Sequence, residues 1–228
     1  MSAKLIHTSF HEIFFPAQLP TQVKDHGPLT LNQVHHFRIA PQTNISQVPI
    51  IVFDFETTGF DSQSDRIIEI GGIKYFPNGK VEEFSSLINP ERNLPQRITE
   101  ITGLTDDQLI DKPKIQNIIP SFLDFIRGGV LVAHNADFDY AFLKANCTRL
   151  GYEIEWPCFC TLKISRNFLA DLPNRTLDTL AQHYGLTFEA RHRSIGDCKV
   201  TLAVLQAMLK NEAKALLHWE DFASYQTV

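Results

Sequence analysis

The sequence is poor in cysteine and has no long apolar run. Without about 18 consecutive apolar residues, no membrane-spanning helix is predicted, and residues 1–7 lack the apolar segment of a signal peptide. Four cysteines in 228 residues are too few for a disulfide framework. Cys158 and Cys160 are separated by one residue, which is closer than the usual spacing of zinc ligands. We therefore predict buried, reduced thiols, no membrane contact and a cytoplasmic location.

A strong positive charge is also absent. The formal net charge is −5 at pH 7, which argues against a generic polyanion-binding tail. A negative net charge does not exclude a nucleic-acid substrate. A metal site needs carboxylates that no basic residue neutralises, and these carboxylates lower the net charge themselves. Between residues 161 and 210 the basic residues outnumber the acidic ones. This excess is typical of a solvated helix face, but beside a metal site it could also follow a phosphate backbone.

An acidic strand at residues 50–56 organises the rest of the chain. Four apolar residues lead into Asp54, Phe55 and Glu56, and Thr-Thr-Gly follows, which is typical of a buried strand and its end. Alternate side chains share a face, so the two carboxylates would lie about 6–7 Å apart on one side. A divalent cation would relieve their repulsion, and oxygen ligands favour Mg²⁺ or Mn²⁺ over zinc. The alternative is an acid pair that frays into solvent.

The pattern of strands and helices predicts an α/β fold. Three strands, joined in part by a hairpin turn at 77–80, come first, and strands then alternate with helices. Together they predict a mixed β-sheet flanked by helices on both faces. The predicted strands are 50–56, 66–76, 81–89, 130–133 and 156–160. One predicted helix begins at Thr105 with a T-x-x-Q capping box, and another begins within 134–143. The other predicted helices span 115–126, 161–170, 177–184 and 194–210.

The two ends of the chain differ from this pattern. Residues 1–48 contain four prolines and five histidines and show no sustained period. We predict an N-terminal extension at 1–48, a core domain at 49–212 and a C-terminal tail at 213–228. The extension is partly ordered in this interpretation and is a possible contact for a protein partner. A zinc site built from its histidines is an alternative, although their spacing matches no ligand pattern.

Two further acidic positions have a structural and a functional interpretation. Asp139 lies in the first turn of a predicted helix, where the helix dipole favours an acid, and Asp137 is the predicted N-cap. Ser194 and Asp197 form an S-x-x-D pattern that is typical of a capping box. His192 lies between two arginines, and its simplest interpretation is an exposed surface histidine.

Taken together, the acidic segments resemble a known set of motifs. The stretches D-F-E-T-T-G at 54–59, H-N-A-D-F-D at 134–139 and H-R-S-I-G-D at 192–197 resemble the three exonuclease motifs of the DEDD superfamily, in the subgroup with a histidine base. Residues 66–71 and 98–105 are also similar to this family, and the resemblance covers about residues 50–210. It extends to the proofreading epsilon subunit of DNA polymerase III and to the PolC-type exonuclease domain, and it implies a ribonuclease-H-like fold.

The resemblance implies a mechanism and its residues. By position, Asp54, Glu56, Asp139 and Asp197 would hold two divalent cations, Mg²⁺ with Mn²⁺ as a substitute, and His192 would be the general base. The implied reaction is 3′–5′ hydrolysis of phosphodiester bonds at single-stranded or frayed 3′ ends of DNA, with a 5′-nucleoside monophosphate as product.

The resemblance also implies a set of substrate contacts. Thr57, Thr58 and Gly59 would grip the terminal 3′-hydroxyl, and Leu104 would form an apolar wedge against the terminal base. Asn135 and Phe138 would form the pocket wall. For Leu104 and Phe138, packing in the core is an equal alternative.

Two other functions remain open at this point. One is a 3′–5′ exoribonuclease of the oligoribonuclease or ribonuclease T type, because the catalytic motifs are shared and only a 2′-hydroxyl contact would separate the sugars. The other is a non-catalytic nucleic-acid-binding module.

Overall fold

The computed structural model of the protein describes residues 34–227. The first 33 residues, which include His7, His11 and His26, lie outside the described residues. The predicted partner contact and the alternative zinc site of the N-terminal extension therefore stay predictions.

The centre of the fold is a mixed β-sheet. Within residues 34–227 its strands are β2 (Ile50–Thr57), β3 (Ile67–Tyr75), β4 (Val81–Leu87), β5 (Val130–Ala133) and β7 (Cys158–Cys160). They pair in the order β4-β3-β2-β5-β7, with β2 antiparallel to β3 and parallel to β5. The predicted mixed sheet is confirmed, and the three strands predicted to come first in it are β2, β3 and β4.

Helices cover both faces of this sheet, as predicted. They are α1 (Gln96–Thr102), α2 (Asp106–Leu109), α3 (Ile115–Phe125), α4 (Ala136–Arg149), α5 (Thr161–Phe168), α6 (Leu177–Tyr184) and α7 (Ser194–Asn211). Ile51, Phe53 and Phe55 of β2 pack in the core on the side of α3 and α4, whereas Val52 packs in the core on the side of α5 to α7. The alternation along β2 therefore directs Asp54 and Glu56 to the same face as Val52, towards α7.

Residues at both ends of the described chain pack against the same core. β1 (Val34–His36) pairs in parallel with β6 (Glu153–Glu155), and Ile45 donates its N–H to the carbonyl of Leu217 at 2.8 Å. A 3₁₀ helix at Trp219–Tyr225 buries Phe222 completely. The packed unit therefore extends beyond both limits of the predicted 49–212 domain.

The buried thiols predicted from composition are present in the described part of the chain. The four cysteines are buried and free, as predicted. None of the helices between residues 34 and 227 has the length and apolar character needed to cross a membrane.

Candidate active site

The acidic site begins where β2 separates from β5. The two strands pair only as far as Val52 with Val132, so the N–H of Phe55 is not used by that neighbour. It donates instead to Oδ1 of Asp139 on α4, at 3.0 Å. This bond places the Asp139 carboxylate between the positions of Asp54 and Glu56 along β2.

The cap of α4 differs from the prediction, and the difference bears on Asp139. Asn135, with φ of 69°, is the N-cap, whereas the predicted cap Asp137 lies in the first turn and pairs with Lys163 at 2.8 Å. Asn135 is tolerated there because its short amide side chain accepts the left-handed conformation. The sharp entry into the helix turns Asp139, which is nearly fully buried, towards β2.

Asp197 comes from the first turn of α7. The predicted capping box of Ser194 and Asp197 is wrong, because the N-cap of α7 is Arg193 and it has no side-chain capping bond. Oδ2 of Asp197 accepts from Nη1 of Arg191 at 2.6 Å, and Oδ1 is buried without a hydrogen-bond partner among the described residues. Asp197 is thus oriented into the site instead of along its own helix.

Crowding of buried acids perturbs all four carboxyl groups. Burial, and then the charges of Asp139 and Glu56, raise the pKa of Asp54 well above its usual value. Burial, and then the charge of Asp197, raise the pKa of Glu56 to about 8. Burial also raises the pKa of Asp139 to about 8, although the Phe55 N–H opposes the shift. Burial raises the pKa of Asp197 to about 6, against the opposing charge of Arg191.

These groups fit a divalent cation. Ligand atoms of Glu56, His192 and Asp197 all lie within 4.8 Å of one another, and the charge of Asp54 acts directly on this cluster. Carboxylate oxygens are the ligands that Mg²⁺ and Mn²⁺ prefer. A cation would favour the ionised form of acids whose pKa is raised by burial and by one another, and it would satisfy Oδ1 of Asp197.

His192 lies beside this cluster in a strained backbone conformation. Its φ is 56°, in the left-handed region. Its Nδ1 is 3.3 Å from Nη1 of Arg191. Arginine can only donate, so Nδ1 accepts in this contact and the neutral ring carries its proton on Nε2. Burial, and then the charge of Arg191, lower the pKa of His192, so the ring is neutral at pH 7.

A cleft of about 680 Å³ opens over the acids. Asp54 and Asp197 line it, and mostly basic and amide side chains form the rest of its wall. These are His134, Asn135, Arg166, Asn174, Arg175, Thr176 and Arg191. Asn135, predicted as a wall residue, lines this cleft, and the cleft combines acidic with cationic side chains.

His134 has a structural position in this wall. One ring nitrogen is 3.0 Å from Oγ1 of Thr161 and the other is 2.9 Å from the carbonyl oxygen of Arg175. Burial lowers its pKa to about 4, so the ring is neutral at physiological pH. The contacts fix the wall segment around Arg175 to the start of α5.

The segment Thr57, Thr58 and Gly59 ends β2 at the edge of the site. The Thr57 hydroxyl donates to the carbonyl of Gly59. The Thr58 hydroxyl donates to Asp65 at 3.1 Å and accepts the N–H of Arg66 at 2.9 Å. A Cβ on Gly59 would clash with the Asp65 carboxylate, so the two residues pack too closely for a side chain at this position.

Of the two predicted apolar contact residues, Leu104 is buried and Phe138 is partly accessible. Leu104 is 2% exposed and packs with Ile68, Ile98 and Leu109, which agrees with the core-packing alternative. Phe138 is half-buried, with ring centroids 4.9 Å from Phe142 and 6.4 Å from Phe60.

Phe60 is an exposed aromatic residue next to the Thr57–Gly59 segment that sequence reasoning did not single out. Its side chain is 69% exposed, and the Arg97 guanidinium lies 5.6 Å from its ring centroid. The available signal was an aromatic residue directly after Thr-Thr-Gly. An exposed ring between an arginine and a second aromatic can stack on a base of any identity.

The fold and this arrangement of acids define a nuclease, and a family match agrees. Residues 51–205 match the RNase T exonuclease family. The chain belongs to this family of exonuclease enzymes.

Two relatives give the match more detail. The chain is 39% identical over 160 residues to DNA polymerase III PolC-type of Clostridium perfringens, covering 70% of this chain and 11% of the relative. It therefore spans about a tenth of the length of that relative. It is 35% identical over 184 residues to the DNA polymerase III subunit epsilon of Treponema pallidum, covering 79% of this chain and 86% of the relative.

Solved structures share the fold. Exonuclease X in complex with 5′ overhanging duplex DNA has a TM-score of 0.55 at 27% identity, covering 70% of this chain and 90% of that one. E. coli Exonuclease I in complex with a dT13 oligonucleotide has a TM-score of 0.67 at 16% identity, covering 74% and 42%, and this similarity concerns the fold alone. The predicted ribonuclease-H-like α/β fold is confirmed.

Proposed function

We propose that this protein removes nucleotides one at a time from the 3′ end of DNA and releases 5′-nucleoside monophosphates. The observation that carries the proposal is the meeting of four perturbed carboxyl groups and His192 in one site, of which Asp54 and Asp197 line the cleft. Arginine side chains that line the same cleft support a phosphodiester substrate. The DNA polymerase III names of both relatives favour DNA over RNA.

Asp54, Glu56, Asp139 and Asp197 would hold two divalent cations, Mg²⁺ or in its place Mn²⁺. When bound, such a pair stabilises the attacking and leaving oxygens of an in-line displacement at phosphorus. The carboxylates also neutralise the charge of the cations, so a phosphodiester experiences a site that is close to neutral.

His192 takes the proton of the attacking water in this proposal. Because Nε2 carries the proton of the neutral ring, the accepting atom is Nδ1, and Arg191 must release that atom first. The lowered pKa of His192 keeps the ring unprotonated and available near pH 7.

Substrate contacts are proposed for Asn135 of the cleft and for side chains beside the acidic site. Phe60 and Phe138 stack on or pack against the terminal bases, and Asn135 lies on the path of the strand. Thr57, Thr58 and Gly59 approach the terminal 3′-hydroxyl. Leu104 reaches a base only if its small apolar cluster opens, because the side chain is buried in the structure.

The setting of the activity is also a proposal. The Treponema relative is named as a subunit of DNA polymerase III, so we infer that this chain acts on 3′ ends presented by a polymerase. Buried reduced thiols agree with a cytoplasmic location.

The test uses 5′-labelled single-stranded DNA and RNA of matched sequence, with Mg²⁺, Mn²⁺ or a chelator. We expect a ladder that shortens from the 3′ end on DNA and disappears with chelator. Asp139→Asn should lose at least about 1,000-fold in rate, because it removes a carboxylate from the charge-compensating set. Asp137→Asn, two residues away in the same helix and exposed, is the matched control and should retain the wild-type rate.

Each other outcome has a defined meaning. Degradation of RNA alone would mean that the protein is an exoribonuclease and that the proposed DNA substrate is wrong. Tight binding without any product would support the non-catalytic module and contradict the proposal.

A further inference from the structure

A buried carboxylate that the proposed mechanism does not use lies next to the site. Glu69 of β3 is 2% exposed and pairs across the sheet with Glu56 of β2. Two facing carboxylates are unfavourable unless one of them is compensated by hydrogen bonds and an opposite charge. The compensation of Glu69 comes from the segment that directly follows His192.

Arg193 and Ser194 provide that compensation. Nη2 of Arg193 donates to Oε1 of Glu69 at 2.8 Å, and Nε donates to Oε2 at 3.1 Å. The N–H of Ser194 donates to Oε2 at 3.2 Å. A planar guanidinium fork on a carboxylate fixes orientation as well as distance. One buried side chain thus holds two consecutive residues next to His192.

Gly71 on β3 allows the start of α7 to lie close to the strand. Gly71 lies two residues after Glu69, on the same face of the strand. A Cβ at Gly71 would lie 2.6 Å from the carbonyl carbon of Ser194 and 2.7 Å from its Cβ. The start of α7 therefore rests directly on the strand, and the position of the loop is determined by β3.

The conformation of His192 requires such an anchor. A φ of 56° is unfavourable for a residue with a Cβ, and it persists only where the surrounding contacts impose it. On the other side of His192, Arg191 contacts the exposed Asp178 at 2.8 Å and the buried Asp197 at 2.6 Å. Because Asp197 belongs to the proposed metal-binding set, Glu69 is the buried anchor that lies outside that set.

We propose that Glu69 is a positioning residue for the reaction, which acts through Arg193 and the Ser194 N–H to hold His192 in the orientation for proton transfer. The inference rests on the proposed function, because it assigns the anchor of the proposed base. Glu69 itself contacts neither substrate nor metal in this assignment.

A double-mutant cycle distinguishes positioning from a general structural role. The variants are Arg193→Lys, which retains the charge but loses the fork, His192→Ala, and the two combined. We expect Arg193→Lys to lower kcat about 10- to 100-fold, since a displacement of about 1 Å can cost this much. KM for DNA and the calorimetric affinity for Mn²⁺ should change by less than about twofold. In the His192→Ala background, Arg193→Lys should have no further effect.

Two further variants complete the design. Glu69→Gln keeps an acceptor for the Ser194 N–H but loses the charge, and we expect the same pattern with a smaller loss in kcat. Arg127→Lys, at an ion pair with Asp124 at the end of α3, is the matched control and should leave kcat unchanged. Melting curves identify any variant that fails to fold.

A second readout does not depend on activity. The ring ¹⁵N resonances of His192 should shift or broaden in Arg193→Lys and Glu69→Gln but not in Arg127→Lys. Equal losses in both backgrounds of the cycle, or unchanged His192 resonances, would overturn the inference while leaving an active exonuclease. A wild-type protein that shortens neither DNA nor RNA would instead contradict the proposed function, and the resonances would still decide the role of Glu69.

Discussion

At the scale of single residues, Arg191 occupies the place where the proposed cation would act. Its guanidinium contacts Asp197 and His192 together, and its positive charge lowers the pKa of Asp54 and Glu56 against the larger effect of burial. Without a divalent cation, Arg191 is thus the local counter-charge. Release of Arg191 would free a metal ligand and the accepting nitrogen of His192 at once.

Replacement of Arg191 by glutamine should therefore strengthen metal binding. We expect Arg191→Gln to raise the affinity for Mn²⁺ about three- to tenfold without DNA, because a partly exposed ion pair contributes on the order of 1 kcal/mol. Titration calorimetry measures the change. Arg166→Gln, which removes an exposed cation of the same cleft, is the control and should have little effect. Weaker binding in Arg191→Gln would mean that Arg191 organises the ligands instead of competing with the cation.

At the scale of elements, the C-terminal 3₁₀ helix belongs to the core. Phe222 is fully buried, its ring centroid 4.6 Å from that of Phe159 on β7. The N–H of Thr227 also donates to the carbonyl of Cys158 at 2.9 Å, and Gln226 bridges to Phe159. This segment therefore covers the edge of the five-stranded sheet that is formed by β7.

Truncation of Phe222 should cost a large part of the stability. We expect Phe222→Ala to lower the free energy of unfolding by about 3–5 kcal/mol, the usual cost of removing a buried phenylalanine. Leu217→Ala, at a half-exposed residue of the same segment, should cost less than about 1 kcal/mol. Urea unfolding of the two variants provides the comparison. Similar small losses would mean that the segment is not packed as described.

Prediction from sequence succeeded for elements with a strong local pattern. The apolar run before Asp54 defined β2 to within one residue of Ile50–Thr57, and the predicted helix at 177–184 is Leu177–Tyr184. The Thr105 start of α2 is also confirmed, since Gln108 accepts the N–H of Thr105 at 2.9 Å. These features depend on neighbours in sequence, which a periodic pattern records.

Features that depend on distant contacts were not predicted. The pairing of β1 with β6 brings Val34 next to Glu153, and neither short strand has a period of its own. The α4 cap at Asn135 was missed because Asn and Asp cap helices about equally well, so residue type alone does not choose between Asn135 and Asp137. The contact of Glu69 with Arg193 joins residues 124 positions apart, and nothing in either local sequence indicates it.

At the scale of the whole molecule, the acidic site determines how stability depends on pH. In an unfolded chain the carboxyl groups ionise near pH 4, whereas in the folded, metal-free protein burial keeps Glu56 and Asp139 protonated up to about pH 8. Between these limits the folded state binds more protons than the unfolded state. Stability therefore falls as pH rises through this range, and it is independent of these groups below pH 4.

Divalent cations should remove this dependence, because they stabilise the ionised carboxylates that the protein alone disfavours. We expect the melting temperature in a chelator to fall by on the order of 5 °C or more between pH 5 and pH 8. Added Mg²⁺ should raise the melting temperature more at pH 8 than at pH 5, since protons no longer compete for the ligands. In Asp139→Asn the decline in chelator should be smaller, whereas Asp137→Asn should behave like the wild type. A metal-free protein that is equally stable at both pH values would show that the carboxyl groups ionise normally. Their pKa values would then give no reason to expect a cation in this cleft.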